Sequence, residues 1–145
     1  MAYDQSVTKS IDIDAPPSKI WQALTTPEII AKWLSDSDIR VVSDWTVGSP
    51  IIRVGRLHGI KFRDKGAILR FEPEQWLEYS SWSAINRIPD IPENYSITSF
   101  QLASQPTHTT LTVSQRNLAT EVMYKHVDFY WNVTVHKIKR LIEAS

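Results

Sequence analysis

Apolar and polar residues alternate along the first segment of the chain, with Val7, Ile11 and Ile13 on one side. Lys9 is the exception on that side. A period of two is typical of a β-strand with one buried face. The pattern therefore predicts a strand that begins near Val7 and ends before Pro16.

Two short helices are predicted after this strand. Pro16 and Pro17 suit a first helical turn, and the apolar residues of segment 20–24 follow at helical spacing. A second start comes at Thr26-Pro27-Glu28, with an N-cap residue, a proline at the first helical position and an acidic first turn. Because a proline cannot continue the first helix, we expect the two helices to meet at a bend near Thr25.

From Ile39 to Leu118 the pattern is strand and turn throughout, and clusters of Gly, Pro, Ser and Asp separate the strands. Six strands are predicted, near residues 38–43, 50–57, 61–72, 75–83, 95–104 and 108–117. The tight breaks at Pro73-Glu74 and Pro106-Thr107 indicate hairpins, and hence an antiparallel sheet.

The last segment, residues 120–143, is rich in β-branched and aromatic residues between Val127 and Val135. Its polar and apolar residues nevertheless each recur at steps of three or four, which predicts an amphipathic helix. Such a helix is roughly 36 Å long. Its middle is so apolar that loops, the two short helices or a second subunit must help the sheet to cover it, which leaves a homodimer open.

This order of elements predicts an α+β fold in a single domain, residues 1–145. The economical arrangement is a seven-stranded antiparallel sheet with the helices on one face. A curved sheet around a long helix leaves an apolar cavity between them.

Several short motifs along the chain carry a resemblance to a known family. They are Pro16-Pro17-Ser18-Lys19-Ile20-Trp21-Gln22-Ala23-Leu24, Pro27-Glu28, Lys32-Trp33, Lys65-Gly66-Ala67-Ile68, Phe71-Glu72-Pro73, Leu77-Glu78-Tyr79 and Thr109-Thr110-Leu111-Thr112-Val113. In these residues the chain resembles the activator of heat-shock protein 90 ATPase homologue family of the START-like (polyketide cyclase and lipid-transport) superfamily. The resemblance implies a helix-grip fold, in which the sheet grips the C-terminal helix around a cavity.

The same resemblance implies less about function. Eukaryotic co-chaperones of this family have a further N-terminal domain that contributes to chaperone contact, and the motifs quoted above match only the START-like part. Their activity is therefore not carried over to this chain. The stretch Ser83 to Asn94 has no strong family pattern, and we expect it to form a variable loop near the cavity mouth.

Sixteen basic residues balance sixteen acidic ones, so the charge does not favour nucleic acid as a partner. The stretch from Arg53 to Arg70 is locally basic, with Asp64 as its one acidic residue, and we interpret it as the solvated face of a hairpin. There are no cysteines, no signal-like N-terminus and no run of about 18 apolar residues. We therefore expect a soluble, cytoplasmic protein without a membrane span.

Few residues suggest catalytic or metal chemistry. The four histidines have no metal-ligand spacing, and the sequence contains neither a nucleophile elbow nor a phosphate loop. No catalytic residue, metal site or cofactor is therefore predicted. Lys9 and Arg53 fall on otherwise apolar strand faces, where each either places a cation in the cavity or extends to its rim.

The aromatic residues are the most informative set, because a buried tyrosine offers a ligand both an apolar ring and a polar hydroxyl. On the strand 75–83, Leu77 and Tyr79 share the face that we expect to point inward. Trp33 and Trp82 are placed at the entrance. The predicted ligand-binding cavity comprises Trp33, Leu77, Tyr79, Trp82, Phe100, Met123, Val127, Tyr130 and Trp131.

Three functions follow, in order of preference. The first is a protein that binds a small, largely apolar or amphipathic molecule in this cavity. The second is a cyclase- or dehydratase-like enzyme, which needs an inward titratable group that the sequence does not clearly provide. The third is a chaperone-binding module in a stress response, with the segment from Arg53 to Arg70 as its contact surface.

Overall fold

The computed structural model describes residues 5–35, 38–57 and 59–145. Within them the chain forms seven strands and three α-helices, which confirms the predicted α+β class. The strands are β1 Val7–Ile13, β2 Ile39–Ser43, β3 Pro50–Leu57, β4 Ile60–Glu72, β5 Trp76–Ser83, β6 Ser96–Ser104 and β7 Thr109–Arg116. The helices are α1 Pro17–Thr25, α2 Pro27–Leu34 and α3 Glu121–Glu143. Two 3₁₀ turns, Ala84–Asn86 and Pro92–Asn94, follow β5.

Local signals explain where the helices begin. Pro17 and Pro27 occupy first turns, and Thr26 links α1 to α2 in an extended conformation. The side chain of Thr120 caps α3, because its Oγ1 accepts a hydrogen bond from the amide of Met123 at 3.1 Å. The predicted bend near Thr25 and the long C-terminal helix are both confirmed.

The sheet is antiparallel throughout, in the order β1-β7-β6-β5-β4-β3-β2. His58, between β3 and β4, lies outside the described residues, but the register of the two strands is clear. Arg53 pairs with Asp64, and Ile68 pairs with Tyr79 on the next strand. A bulge between Ile68 and Arg70 shifts the register of β4 against β5.

Close approach of β4 to β5 requires a glycine at position 66. A Cβ atom added there would lie 1.7 Å from the carbonyl oxygen of Ser80, which is far inside a van der Waals contact. Because Gly66 has no side chain, β4 and β5 can approach each other closely at this position.

The core lies between the concave face of the sheet and the helices. α3 packs mainly against β1, and α2 packs against β2. Ile13, Ile68, Leu111 and Ile138 are among the side chains with no exposed surface. The sheet thus wraps around α3 as the helix-grip prediction states.

The stretch after β5 lies elsewhere than predicted. We expected residues 83–94 near the cavity mouth, but residues 88–90 of this stretch lie against the convex face, where Trp82 Nε1 donates to the carbonyl oxygens of Ile88 and Pro89. There Asp90 pairs with Lys65 at 2.5 Å and accepts a hydrogen bond from the Tyr95 hydroxyl at 2.6 Å. Lys65 is on the outward side of β4, so its ion pair with Asp90 draws the loop to that side.

Candidate functional site

Three aromatic side chains form a buried cluster on the concave face: Trp33 of α2, Phe100 of β6 and Trp131 of α3, called here the aromatic cluster. Their exposed fractions are 2%, 1% and 3%. The Trp33 and Phe100 rings have centroids 6.1 Å apart, and the Phe100 and Trp131 centroids are 5.7 Å apart, both close to edge-to-face. The cluster thus joins the short helices, the sheet and the long helix.

Three more of the predicted residues belong to the same core, whereas Met123 is not among the described half-buried residues that pack against it. Leu77 and Tyr79 are buried on β5, and the Tyr79 ring lies 6.1 Å from the Phe100 ring, centroid to centroid. Val127 is buried on α3, and Met123, one turn earlier, is half-buried. The structure therefore brings the Tyr79 face of the sheet and the aromatic cluster together, as predicted.

Tyr130 has a different environment from its neighbour Trp131. Its hydroxyl donates a hydrogen bond to the carbonyl oxygen of Leu34, at the end of α2, and its ring packs edge-on against the Trp131 ring at 4.9 Å. Tyr130 therefore ties α3 to α2.

Trp82 does not join the other eight residues. It lies on the opposite face of β5 from Tyr79, where its ring is 5.5 Å from the Lys65 ammonium and its Nε1 donates to the carbonyl oxygens of Ile88 and Pro89. Because side chains alternate along a strand, Trp82 is on the convex side when Tyr79 is on the concave side. Trp33 is also not at an entrance, since it is buried in the core and donates to the carbonyl oxygen of Ala23 at 2.8 Å.

A chain of hydrogen bonds runs from the aromatic cluster along the concave face. Trp131 Nε1 donates to Gln115 Oε1 at 2.9 Å, and Gln115 Nε2 donates to Ser96 Oγ at 3.0 Å. The Ser96 hydroxyl lies 3.4 Å from that of Ser81. The polar groups in this part of the site are therefore satisfied within the chain.

A second polar group on the same face was not predicted: Arg53 of β3, Asp64 of β4 and Tyr79 of β5, called here the polar cluster. Arg53 Nη2 lies 3.2 Å from Asp64 Oδ2, and only 20% and 15% of the two side chains is exposed. The other carboxylate oxygen, Asp64 Oδ1, is buried, and no described residue forms a hydrogen bond with it. The sequence makes Arg53 and Tyr79 candidate inward groups, but its pattern predicts no inward carboxylate.

Tyr79 contributes a protonated hydroxyl to the polar cluster. Burial raises the pKa of Tyr79 above the ordinary tyrosine value, and the positive charge of Arg53 opposes that rise only in part. The phenol therefore keeps its proton at neutral pH and can donate a hydrogen bond as well as accept one.

Lys9 is the second cation that the sequence placed on an apolar face. Its Nζ lies 2.8 Å from Asp128 Oδ1 on α3, with 23% and 41% of the two side chains exposed. The lysine reaches the rim and pairs there, which agrees with the second of the two placements considered for it.

Two open depressions lie away from the aromatic cluster. One, of about 390 Å³, is on the convex face beside Lys65 and Tyr95. The other, of about 600 Å³, is near the edge of the sheet and is bordered by four cationic side chains and Asp38. Those four cations are Arg40, Arg56, Lys61 and Arg63.

Among residues 5–35, 38–57 and 59–145, no group of three or more His, Asp and Glu side chains could hold a metal ion. In the same part of the chain, no helix is long and apolar enough to cross a membrane.

The wrapped sheet, the central helix and the mixed aromatic and polar concave face define a helix-grip protein of the START-like class. The family model described as "Activator of Hsp90 ATPase homolog 1-like protein" matches residues 14–143, and the chain belongs to this family. This confirms the resemblance found in the sequence. A search of curated protein sequences finds no match.

Solved structures share this fold. The solution structure of ChR145 from Cytophaga hutchinsonii is 34% identical, with a TM-score of 0.84 over 99% of this chain and 97% of that one. The Aha1 dimer from Colwellia psychrerythraea is 24% identical, with a TM-score of 0.73 over 96% of each chain. CalU16 from Micromonospora echinospora is 24% identical, with a TM-score of 0.71 over 96% of this chain and 76% of that one. The last two likenesses concern the fold alone.

Proposed function

We propose that this chain is a single START-like domain, residues 1–145, that binds a small, largely apolar or amphipathic molecule between the concave face of the sheet and α3, without a cofactor. The observation that carries the proposal is the polar cluster, which is mostly buried on the same face as the aromatic cluster and includes one carboxylate oxygen without a hydrogen-bond partner among the described residues. A site that is mostly apolar with a few convergent polar groups is typical of small-molecule binding.

Both the sheet and the long helix contribute apolar side chains to the proposed site. Leu77, Tyr79 and Phe100 supply the apolar surface of the sheet, and Val127 supplies that of the helix. Met123 lies half-buried one turn before Val127. Its unbranched side chain can adapt to ligands of different shape.

The test is binding of a neutral environment-sensitive dye, N-phenyl-1-naphthylamine, to the full chain. We expect saturable binding with one dye per chain. Val127→Trp fills the proposed site and should abolish dye binding, although overpacking costs about 1 to 3 kcal/mol of stability, so circular dichroism must confirm its fold.

Asn132→Trp is the matched control, because Asn132 is an exposed position on the same helix. This variant should bind the dye as wild type does. Wild-type protein that binds no dye, or a folded Val127→Trp that binds as tightly as wild type, would contradict the proposed site.

A second function, cyclase- or dehydratase-like catalysis, is favoured by one observation: Asp64 is an inward carboxylate on the face that also carries the protonated Tyr79 hydroxyl. Such a pair resembles a general base with a general acid. If the protein is an enzyme, Asp64→Asn should stop the conversion of a bound substrate while leaving its binding measurable. Equal conversion by the two proteins would exclude this role for Asp64.

Assembly is a further proposal. Val122, Phe129 and Val133 form an exposed apolar stripe on α3, with 78%, 70% and 45% of their surfaces exposed. The Colwellia psychrerythraea structure is described as a dimer. We propose that a second copy of this chain covers the stripe. Sedimentation velocity should then show a dimer that Phe129→Asp converts to monomer and Asn132→Asp, a neighbouring exposed change, does not.

Chaperone contact is the least favoured of the proposed functions. Arg56 and Lys61 occupy opposite positions on β3 and β4 and border the 600 Å³ depression. They would form the contact surface for a chaperone. We expect no complex with heat-shock protein 90 in a pull-down. A specific complex that weakens with salt and with reversal of these two charges would overturn that ranking.

A further inference from the structure

One carboxylate oxygen on the concave face, Asp64 Oδ1, is buried without a hydrogen-bond donor among the residues that the structure describes. Arg53 and Asp64 are directly opposite on β3 and β4, and their contact uses one oxygen of the carboxylate. Asp64 Oδ1 is buried, and none of the described residues donates a hydrogen bond to it. Leaving a buried charged acceptor unpaired is costly, so each such atom calls for an explanation.

The chemistry of the carboxylate restricts what can complete it. An ionised carboxylate only accepts hydrogen bonds, so the missing partner must be a donor. The Arg53 charge already balances the Asp64 charge at 3.2 Å. A second anion would meet an unpaired carboxylate oxygen, and a cation would meet the arginine, so the cluster favours a donor without net charge.

Tyr79 extends this argument toward the aromatic cluster. It is buried on the same face, its hydroxyl has no hydrogen-bond partner among the residues that the structure describes, and its ring lies against that of Phe100. Its hydroxyl is a further donor and acceptor on this face, nearer to the aromatic cluster than Asp64 is, and its ring begins the apolar wall.

Building on the proposed function, we infer that the ligand is a neutral amphipath whose head group is a hydroxyl or a primary amide. The head group donates to Asp64 Oδ1 within the polar cluster, and the apolar body lies along Tyr79 and Phe100. Molecules with the same body and a carboxylate head are discriminated against.

The experiment compares three probes with the same ten-carbon body. 1-Decanol, decanamide and decanoate each displace N-phenyl-1-naphthylamine from the full chain at neutral pH, where decanoate is ionised. Because hydrogen bonds to charged groups are the stronger ones, decanol and decanamide should displace the dye at concentrations at least about tenfold lower than decanoate.

Asp64→Asn changes the charge without changing the shape. It leaves Arg53 as an uncompensated cation, so the preference should shift toward decanoate by about tenfold or more. Glu72→Gln is the matched control: it removes a carboxylate from an ion pair with Arg70 on the same strand, and Glu72 is outside the polar cluster. This control should keep the wild-type preference.

The outcomes separate the inference from the proposed function. No dye binding by wild type contradicts the proposed function itself. If the dye binds saturably but decanoate displaces it as well as or better than decanol, the inferred preference for a neutral head group is wrong, while the proposed binding site stands. If Asp64→Asn does not fold, Arg53→Gln decides, because it leaves the Asp64 carboxylate without its cation. The preference for decanol over decanoate should then grow several-fold, and an unchanged preference overturns the inference.

Discussion

The two halves of the concave face differ in how completely their buried polar groups are hydrogen-bonded. On the half formed by β1, β7 and β6, Trp131 of α3 donates to Gln115, and Gln115 donates to Ser96. On the half formed by β3, β4 and β5, the carboxylate of Asp64 has a buried oxygen without a donor among the described residues. Arg53 contacts only its other oxygen.

The difference follows from what covers each half. α3 packs mainly against β1, so the polar groups beneath it find partners on the helix or on neighbouring strands. Folded chains pair nearly all of their buried polar atoms, so unpaired ones mark places where stability is not the main constraint. The first half therefore holds the fold together, and the second half is the part of the face that we assign to recognition.

The largest expected effect tests the structural half. Trp131→Ala removes a buried indole and its hydrogen bond to Gln115, and should cost about 3 to 5 kcal/mol of unfolding free energy. Urea titration followed by circular dichroism measures it. Asn132→Ala, at the next and exposed position of α3, should stay within about 0.5 kcal/mol. If Trp131→Ala loses less than about 1 kcal/mol of unfolding free energy, Trp131 and its face of α3 are not part of the core.

A double-mutant cycle on Arg53 and Asp64 tests the recognition half. Arg53→Met alone should cost about 2 to 3 kcal/mol, because it leaves a mostly buried carboxylate without its cation. The double variant Arg53→Met with Asp64→Leu should come within about 1 kcal/mol of wild type. If the double variant is as unstable as the single one, the pair is there for stability and the contrast between the halves fails.

Alkaline pH tests the burial of Tyr79. Its folded pKa is raised above its unfolded value, so its contribution is complete below about pH 10, the ordinary pKa, and is lost as pH rises through the folded pKa. The urea midpoint of the wild type should therefore decrease above that pH, and the midpoint of Tyr79→Phe should decrease less steeply. Equal slopes for the two proteins would place the Tyr79 hydroxyl in water.

The smallest effect is expected at Lys9 and Asp128. This pair is at the rim, and 41% of the Asp128 side chain is exposed, so solvent screens the attraction. Asp128→Asn should lower the unfolding free energy by less than about 1 kcal/mol, with the loss shrinking further in high salt. A larger, salt-independent loss would show that the rim is as buried as the polar cluster.

Much of this architecture could be predicted from local patterns. The bounds of β2 to β7 and of α3 agree with the predicted segments to within one residue at each end. Alternation along β5 also put Leu77 and Tyr79 inward. The same alternation assigns Trp82 to the opposite face, so its expected position at an entrance went beyond what the pattern supported.

The polar cluster could not be predicted in the same way. Asp64 is the one acidic residue in a basic stretch, and local pattern alone favoured a solvated hairpin. A signal was present in the pairing: a turn centred near residues 58 and 59 places Arg53 opposite Asp64. Whether that pair faces the helix or the solvent depends on the curvature of the whole sheet.

The sequence by itself determined the elements, because strand alternation, proline at helix starts and the helical repeat of segment 120–143 act between residues close in the chain. Only the tertiary structure decided which faces meet. Strand register, the approach of β4 to β5 at Gly66 and the position of α3 over β1 depend on contacts between distant residues. Among the described residues, these contacts bury Asp64 Oδ1 without giving it a hydrogen-bond donor.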